Sequence, residues 1–365
     1  MISKLPADIQ HVLNEVEKIE VTKVCEKGGC GYVVLGKDLL LNREVAIKFI
    51  SEEEHKITEE PKKLCEIDHK NILKVYAAKK FADDSLYFVT PIAKHGDLDD
   101  YMKSDSISLK QALSITHGIL NGLNQLHTPP DCYLHRDLKP SNIFMNNGIP
   151  MIGDFGSIKK LDDVSESVNA SRMTLFYKTP ETIKENKHYI QSDIYQVGVI
   201  LHQLLGGSID MTPRNYLNKR EMAKFNKMKD EIDKTIFVDD VVKKCIEKGR
   251  LLNYDNLPSY VPTSLIKILK AATNKNYKKR YKEVTQFMCE IARVCGGIPN
   301  WKQSKNEITL EMWNKKSFKI IKEKSSYIAM RKISGSSKWR NEKHSKSANI
   351  EGVVQYLQNA YNIPK

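Results

Sequence analysis

The chain has 365 residues, 41% hydrophobic and 28% charged, a balance that supports a large folded core and excludes disordered and collagen-like classes. No run of about 18 apolar residues is present to span a membrane, and the first twenty residues lack the apolar centre of a secretory signal. The formal charge is +13, and residues 301–365 hold 14 Lys or Arg against 5 Asp or Glu, so most of the excess sits at that end. A basic end of this kind suits nucleic acid or another acidic partner, or it is the solvated face of a small domain. Seven cysteines without a C-x-x-C pair or a metal-like spacing point to reduced thiols in a cytoplasmic protein rather than to disulfides or zinc.

In chain order, Ile9, Val12, Leu13 and Val16 recur at helical spacing and predict an amphipathic helix within residues 1–19. Residues 20–95 read as strands, VTKVCEKGG, YVVLGKDLLL, REVAIKFIS, LKVYAAKK and SLYFVTPIA, interrupted by one helix-like segment, EEEHKITEEPKKLCEID. Residues 96–294 are mostly helical, with short strands near IFMNN and PMIGDF. Inside them, Met222, Phe225, Met228 and Ile232 have the spacing of one inserted helix, which either covers core or docks a partner.

CGGIPNW (295–301) reads as a linker. Residues 302–365 then form a β-plus-helix module: strands EITLEMW, SFKIIKE and YIAMRKI, and a closing helix marked by Ile350, Val353, Val354 and Leu357 with Asn349 as its cap. Trp313, Phe318, Tyr327 and Trp339 interleave with these strands. They are either strand core or platforms on which nucleic-acid bases stack.

The chemistry concentrates in a few short stretches. EKGGCGYVVLG (26–36) lies between two strand patterns, where Gly28, Gly29 and Gly31 let the backbone approach phosphate oxygens. Taken alone it is equally a hairpin turn. VAIK (45–48) ends an apolar strand in Lys48, and Glu60 in the following segment is the carboxylate best placed to hold that lysine, with Glu59 its competitor. HRDLKPSN (135–142) is far more specific. Five residue types at fixed spacing arise by chance at roughly one site in a few million when each has a frequency of ~5%. There Asp137 is suited to accept a proton from an attacking hydroxyl, Lys139 to neutralise a transferring phosphate and Asn142 to ligate a metal ion. Asp154 of DFG supplies a second oxygen ligand, a set that suits Mg²⁺ (or Mn²⁺).

With these stretches in order, the chain resembles the eukaryotic-type Ser/Thr protein kinase family over about residues 20–294. The resemblance implies an α+β, bilobal fold with a β-rich N-lobe (20–95) and a helical C-lobe (96–294). EKGGCGYVV is similar to the glycine-rich loop, VAIK to the lysine strand, HRDLKPSN to the catalytic loop and GDFG to the metal-binding turn. LFYKTPE resembles the A-P-E segment with Thr179 in place of alanine, and SDIYQVGVILHQLLGG the long buried C-lobe helix, with Asp193 bracing the catalytic loop. Arg280 falls where the family supplies the ion-pair partner of Glu181. ATP, the cosubstrate, would lie against Gly28, Gly29, Gly31, Val33, Ala46 and Lys48, with Thr90 as gatekeeper, Ile92 in the hinge and Asp97 facing the ribose. Lys139 and Thr174 point to protein substrates with Ser or Thr acceptors. Ser165, Ser167 and Ser171 are the activation-loop candidates for autophosphorylation, with Arg136 able to receive a loop phosphate.

The departures are as specific. Glu26 replaces the first glycine of the loop, Glu60 comes only 12 residues after Lys48, and Pro61 follows at once. Ser141 occupies a spot that is acidic in many kinases favouring basic substrates. A weakly active, kinase-like scaffold acting through its basic C-terminal module is the alternative that such departures leave open.

Overall fold

The computed structural model describes residues 5–15, 19–26, 32–51, 64–82, 85–104, 106–162, 166–171, 173–305 and 307–365. Helix α1 (Ala7–Glu15) leads into five antiparallel strands: β1 (Ile19–Glu26), β2 (Tyr32–Asp38), β3 (Arg43–Ser51), β4 (Ala77–Ala82) and β5 (Ser85–Pro91), in the sheet order β1-β2-β3-β5-β4. Alternation along a strand separates its two faces. Ile47 and Phe49 of β3 pack with Val34, Tyr87, Ile9, Val12 and Leu13, so α1 covers one face of the sheet. Ala46 and Lys48 point the other way, where Lys48 pairs across to Val33 and Phe88, and Ala46 to Thr90. Phe88 joins Leu64 in the main core.

The second lobe is built around two helices, α3 (Leu109–His127) and α5 (Ile190–Leu204). Ser108 and Gln111 start α3 with a reciprocal capping box. Helix α5 is buried on nearly every side, Ile194 through Leu201 included, as expected of an apolar helix inside a large core. Around this pair lie α2 (Leu98–Ser104), α4 (Pro180–Lys184), α8 (Thr263–Ala272), α9 (Val284–Cys295) and four short hairpin strands: β6 (Tyr133–Leu134), β7 (Ile143–Asn146), β8 (Ile149–Ile152) and β9 (Lys159–Lys160). The chain thus has a β-sheet N-lobe and a helical C-lobe.

The inserted segment differs from its sequence pattern. Instead of one helix through Met222–Ile232 there are two, α6 (Lys219–Lys227) and α7 (Glu231–Glu247). Asn218 starts α6 by accepting from the Arg220 and Glu221 amides, and the break falls after Lys227, where Met228 turns extended and Asp230 caps α7 by accepting from the Asp233 amide. Ile232 is 71% exposed, and α7 reaches the core only through Val238, Val242 and Ile246.

Beyond α9, strands β12 (Asn300–Gln303), β13 (Glu307–Trp313), β14 (Lys316–Glu323), β15 (Ser326–Ile333) and β16 (Arg340–Asn341) form an antiparallel meander, closed by α10 (Ile350–Tyr361) with Asn349 as its N-cap. Ile308, Leu310, Phe318 and Ile320 pack with Val353, Val354 and Leu357. Trp301, placed by the sequence at the end of a linker, lies inside β12. It is fully buried and stacks on Tyr260 with centroids 5.6 Å apart. Asn300 accepts from the Lys110 amide at 3.3 Å, and Lys302 bridges to Ser108. The sheet therefore shares its core with the C-lobe. Of the interleaved aromatics, Phe318 is fully buried, and Trp313 and Tyr327 pack against the core. Trp339 instead lies beneath the Lys319 and Lys332 ammonium groups, at 4.9 and 5.0 Å.

Trp301→Ala is expected to cost about 3–5 kcal/mol. Because the ring serves both units, calorimetry of the wild type should give one cooperative transition across the C-lobe and the terminal sheet. Two well-separated transitions would contradict the shared core.

Candidate active site

The catalytic-loop stretch, residues 135–142, is hung from one buried carboxylate. Asp193, near the start of α5, is fully buried. Its Oδ2 accepts from the His135 amide and His127 Nε2, both at 2.9 Å; its Oδ1 accepts from the Arg136 amide at 3.0 Å and His188 Nε2 at 2.8 Å. Desolvation alone would raise its pKa, but His188 and the two histidine hydrogen bonds hold it well below the ordinary carboxylate value. One turn on, Gln196 accepts from the Leu138 amide and donates to the Tyr177 carbonyl. Arg136 takes a left-handed φ of 69°, which turns the chain so that Asp137 faces outward from this anchor.

Around Asp137 the loop closes on itself. Asn142 Nδ2 donates to the Asp137 carbonyl at 2.7 Å and to its Oδ2 at 3.1 Å. Lys139 Nζ donates to the same Oδ2 at 2.7 Å and to Thr174 Oγ1 at 3.0 Å. Oδ1 of Asp137 is buried and has no hydrogen-bond partner among the described residues. Such an atom is costly to leave unpaired, and it is an acceptor suited to a hydroxyl.

The DFG turn is stitched to the loop by backbone bonds, Gly153 N–H to the Asn142 carbonyl at 2.9 Å and His135 Nε2 to the Gly153 carbonyl at 3.0 Å. A Cβ at Gly153 would lie 2.8 Å from the Phe144 ring, so only glycine fits. Asp154 is left-handed, with φ 58°, and its Oδ1 meets Lys48 Nζ in a short charge-assisted contact. Desolvation pushes the Asp154 pKa up; the Lys48 charge and hydrogen bond outweigh it and bring the pKa below its ordinary value. Lys48, Asp137, Lys139, Asn142 and Asp154 are thus brought together from β3, the loop and the turn. Asn142, hydrogen-bonded to Asp137, and Asp154, bonded to Lys48, carry hard oxygens, a donor set that fits Mg²⁺ or Mn²⁺.

The remaining predicted residues are distributed as follows. Val33, Ala46, Thr90 and Ile92 line β2, β3, β5 and the segment after it. Asp97, largely buried, uses Oδ1 to accept from the Asp100 amide at the start of α2. Glu60, Gly28, Gly29, Gly31 and Ser165 lie outside the described residues. Ser167 and Ser171 are half-buried, and Ser171 Oγ donates to the Arg136 carbonyl at 3.2 Å. The Arg136 guanidinium donates to the carbonyls of Ser157 (2.5 Å) and Asn169 (2.7 Å).

Glu181 and Arg280 meet in a buried two-pronged pair, Nη1–Oε1 2.7 Å and Nη2–Oε2 2.8 Å, with Ser192 donating to Oε1. Thr179, where the resemblance has alanine, is fully buried because it is the N-cap of α4, exchanging hydrogen bonds with Thr182 in a capping box. Three polar residues around Asp193 and the loop escaped the sequence reading: His127, His188 and Gln196. Gln196 alone carried a signal, as the polar side chain within the apolar run IYQVGVIL (194–201).

The chain belongs to the protein kinase domain family, whose model matches residues 20–291. It is similar to human 3-phosphoinositide-dependent protein kinase 1 (31% identical over 245 residues, 61% of this chain and 43% of that protein). It is also similar to the serine/threonine-protein kinases PLK4 of Nematostella vectensis (27% over 256 residues, 66% and 25%) and PrkC of Bacillus subtilis (29% over 202 residues, 53% and 31%). The chain spans less than half the length of each of these relatives.

Arg280→Met strands a buried carboxylate and is expected to cost about 3–5 kcal/mol near neutral pH. In the wild type the Glu181 pKa is depressed by Arg280 despite burial. Its contribution is therefore present above the ordinary value of 4.5 and is lost as pH falls through the depressed folded-state pKa. In the variant the unpaired carboxyl gains by protonation, so the gap between the two proteins should narrow as pH falls toward about 4.5. Denaturant midpoints measured from pH 7 to pH 4 check this, and a constant gap would refute the assignment.

Proposed function

We propose that this protein is an active Ser/Thr protein kinase that transfers the γ-phosphoryl group of ATP to protein hydroxyls. The observation that carries the proposal is the buried Oδ1 of Asp137, without a hydrogen-bond partner among the described residues, while Lys139 and Asn142 hold its Oδ2. Asp137 would orient the acceptor hydroxyl and take its proton as the new oxygen–phosphorus bond forms and ADP departs. Lys139, between Asp137 and Thr174, would neutralise the phosphoryl oxygens. Lys48 would exchange Asp154 for the ATP phosphates. Glu60, from the segment after β3, would then steady that lysine. A divalent cation, Mg²⁺ or Mn²⁺, held by Asn142 and Asp154 would supply charge neutralisation to the phosphates.

The Lys139–Thr174 hydrogen bond supports Ser and Thr as acceptors, since it sets the lysine beside the hydroxyl's approach. Ser171, Ser167 and Ser165 are the proposed autophosphorylation sites. In the nucleotide cleft, Val33 and Ala46 would enclose the adenine with Ile92, and Thr90 would limit the depth of the pocket.

Wild-type protein incubated with labelled ATP and Mg²⁺ should label itself or casein on Ser or Thr, and Asp154→Ala should abolish the label. Nucleotide binding without any transfer, under conditions in which the protein is folded, would overturn the proposal in favour of a scaffold. Mass spectrometry of the labelled wild type should find phosphate within residues 165–171; an unmodified segment in an active preparation would remove the autophosphorylation claim.

A further inference from the structure

The segment between the DFG turn and α4 is bound to the catalytic loop by two routes that meet on one atom. Strand β10 (Val168–Asn169) pairs antiparallel with β11 (Lys187–His188), and the Ala170 amide extends the ladder to the Asn186 carbonyl at 3.0 Å. His188, fully buried, leaves this ladder and donates Nε2–H to Asp193 Oδ1. The same Oδ1 receives the Arg136 amide, and the Arg136 guanidinium returns to the Asn169 carbonyl of β10. The chain of contacts is closed: β10, β11, His188, Asp193, Arg136, β10. Nδ1 of His188 is buried without a partner among the described residues, so the ring makes this one hydrogen bond and no second contact explains its polarity.

We propose that His188 is a positioning residue that couples the order of the 166–171 segment to the geometry of the catalytic loop. By fixing Asp193 Oδ1 from the segment's side, it ties the Arg136 amide, and with it the direction in which Asp137 points, to the formation of the β10–β11 ladder. The device consists of backbone ladder and imidazole, so the segment docks on the loop without a phosphate. The kinetic part of this inference rests on the proposed kinase activity; the structural part does not.

The test compares His188→Phe, which keeps a ring but no donor, with His188→Gln, which keeps an N–H donor, and with Ala170→Pro, which removes a ladder rung without touching Asp193. Two readouts are taken on the full chain: steady-state phosphorylation of a Ser/Thr peptide, and amide hydrogen exchange at residues 135–137 and 168–169. His188→Phe should lower kcat by about ten- to a hundredfold, the loss expected for one charge-assisted hydrogen bond, with KM for ATP unchanged and faster exchange in both segments. His188→Gln should restore most of kcat, and Ala170→Pro should reproduce the Phe variant in both readouts. Faster exchange at 168–169 with normal exchange at 135–137 would overturn the coupling, as would an Ala170→Pro variant indistinguishable from wild type. Should His188→Phe fail to fold, Ala170→Pro decides alone. Should the wild type transfer no phosphate, exchange at the Arg136 amide in Ala170→Pro decides.

Discussion

Everything that gives the site its shape depends on a carboxylate sealed away from water. Taking an ionised Asp193 into the core costs several kcal/mol. Four donors converge on it, and a hydrogen bond to a charged group contributes roughly 1.5–3 kcal/mol. Together they are large enough to offset the desolvation, and each donor lost removes part of that compensation from a charge that stays buried. That condition makes the carboxylate a geometric constraint: the His135 and Arg136 amides, the end of α3 and β11 are each held to within hydrogen-bond distance of one atom pair. Asp137, Lys139 and Asn142 inherit their positions from it. The DFG turn is then registered on the loop through Gly153, and Lys48 reaches across from the N-lobe to Asp154.

The opposing charges in the site follow the same logic at lower cost. Lys139 and Asn142 share one oxygen of Asp137 and leave the other open, so the side chain is fixed in orientation yet keeps an unsatisfied acceptor. Lys48 and Asp154 satisfy one another. Under the proposed activity a phosphate chain would displace that contact without leaving an unpaired buried charge, because both side chains remain partly exposed.

Much of the site could be read in the sequence because its chemistry demands particular residue types at close spacing. Asp137, Lys139, Asn142 and Asp154 lie within eighteen positions of one another, and the structure brings them together. Glu181 and Arg280 are 99 residues apart in the chain, and the resemblance to a known family, rather than any local pattern, joined them. What escaped was the support. His127 and His188 look like ordinary histidines at a helix end and in a short strand, since nothing local says that two distant segments converge on Asp193. Periodicity also misled in two places. Met222–Ile232 keeps a helical spacing through a break at Met228–Asp230, where Asp230 caps a new helix, because capping acts on single residues and period counts do not see it. CGGIPNW has the composition of a linker, yet its tryptophan is the most deeply packed aromatic at the seam between the C-lobe and the terminal sheet.

The account stands or falls on Asp137 acting as the acceptor's proton partner in a folded, nucleotide-binding site. The most direct measurement is the single-turnover rate of phosphate transfer to a Ser/Thr peptide by wild type and by Asp137→Asn, with ATP affinity measured on both by calorimetry. The account predicts equal affinity and a rate lower by about 10²–10⁴ in the variant. Equal rates in the two proteins, at equal affinity, would contradict it.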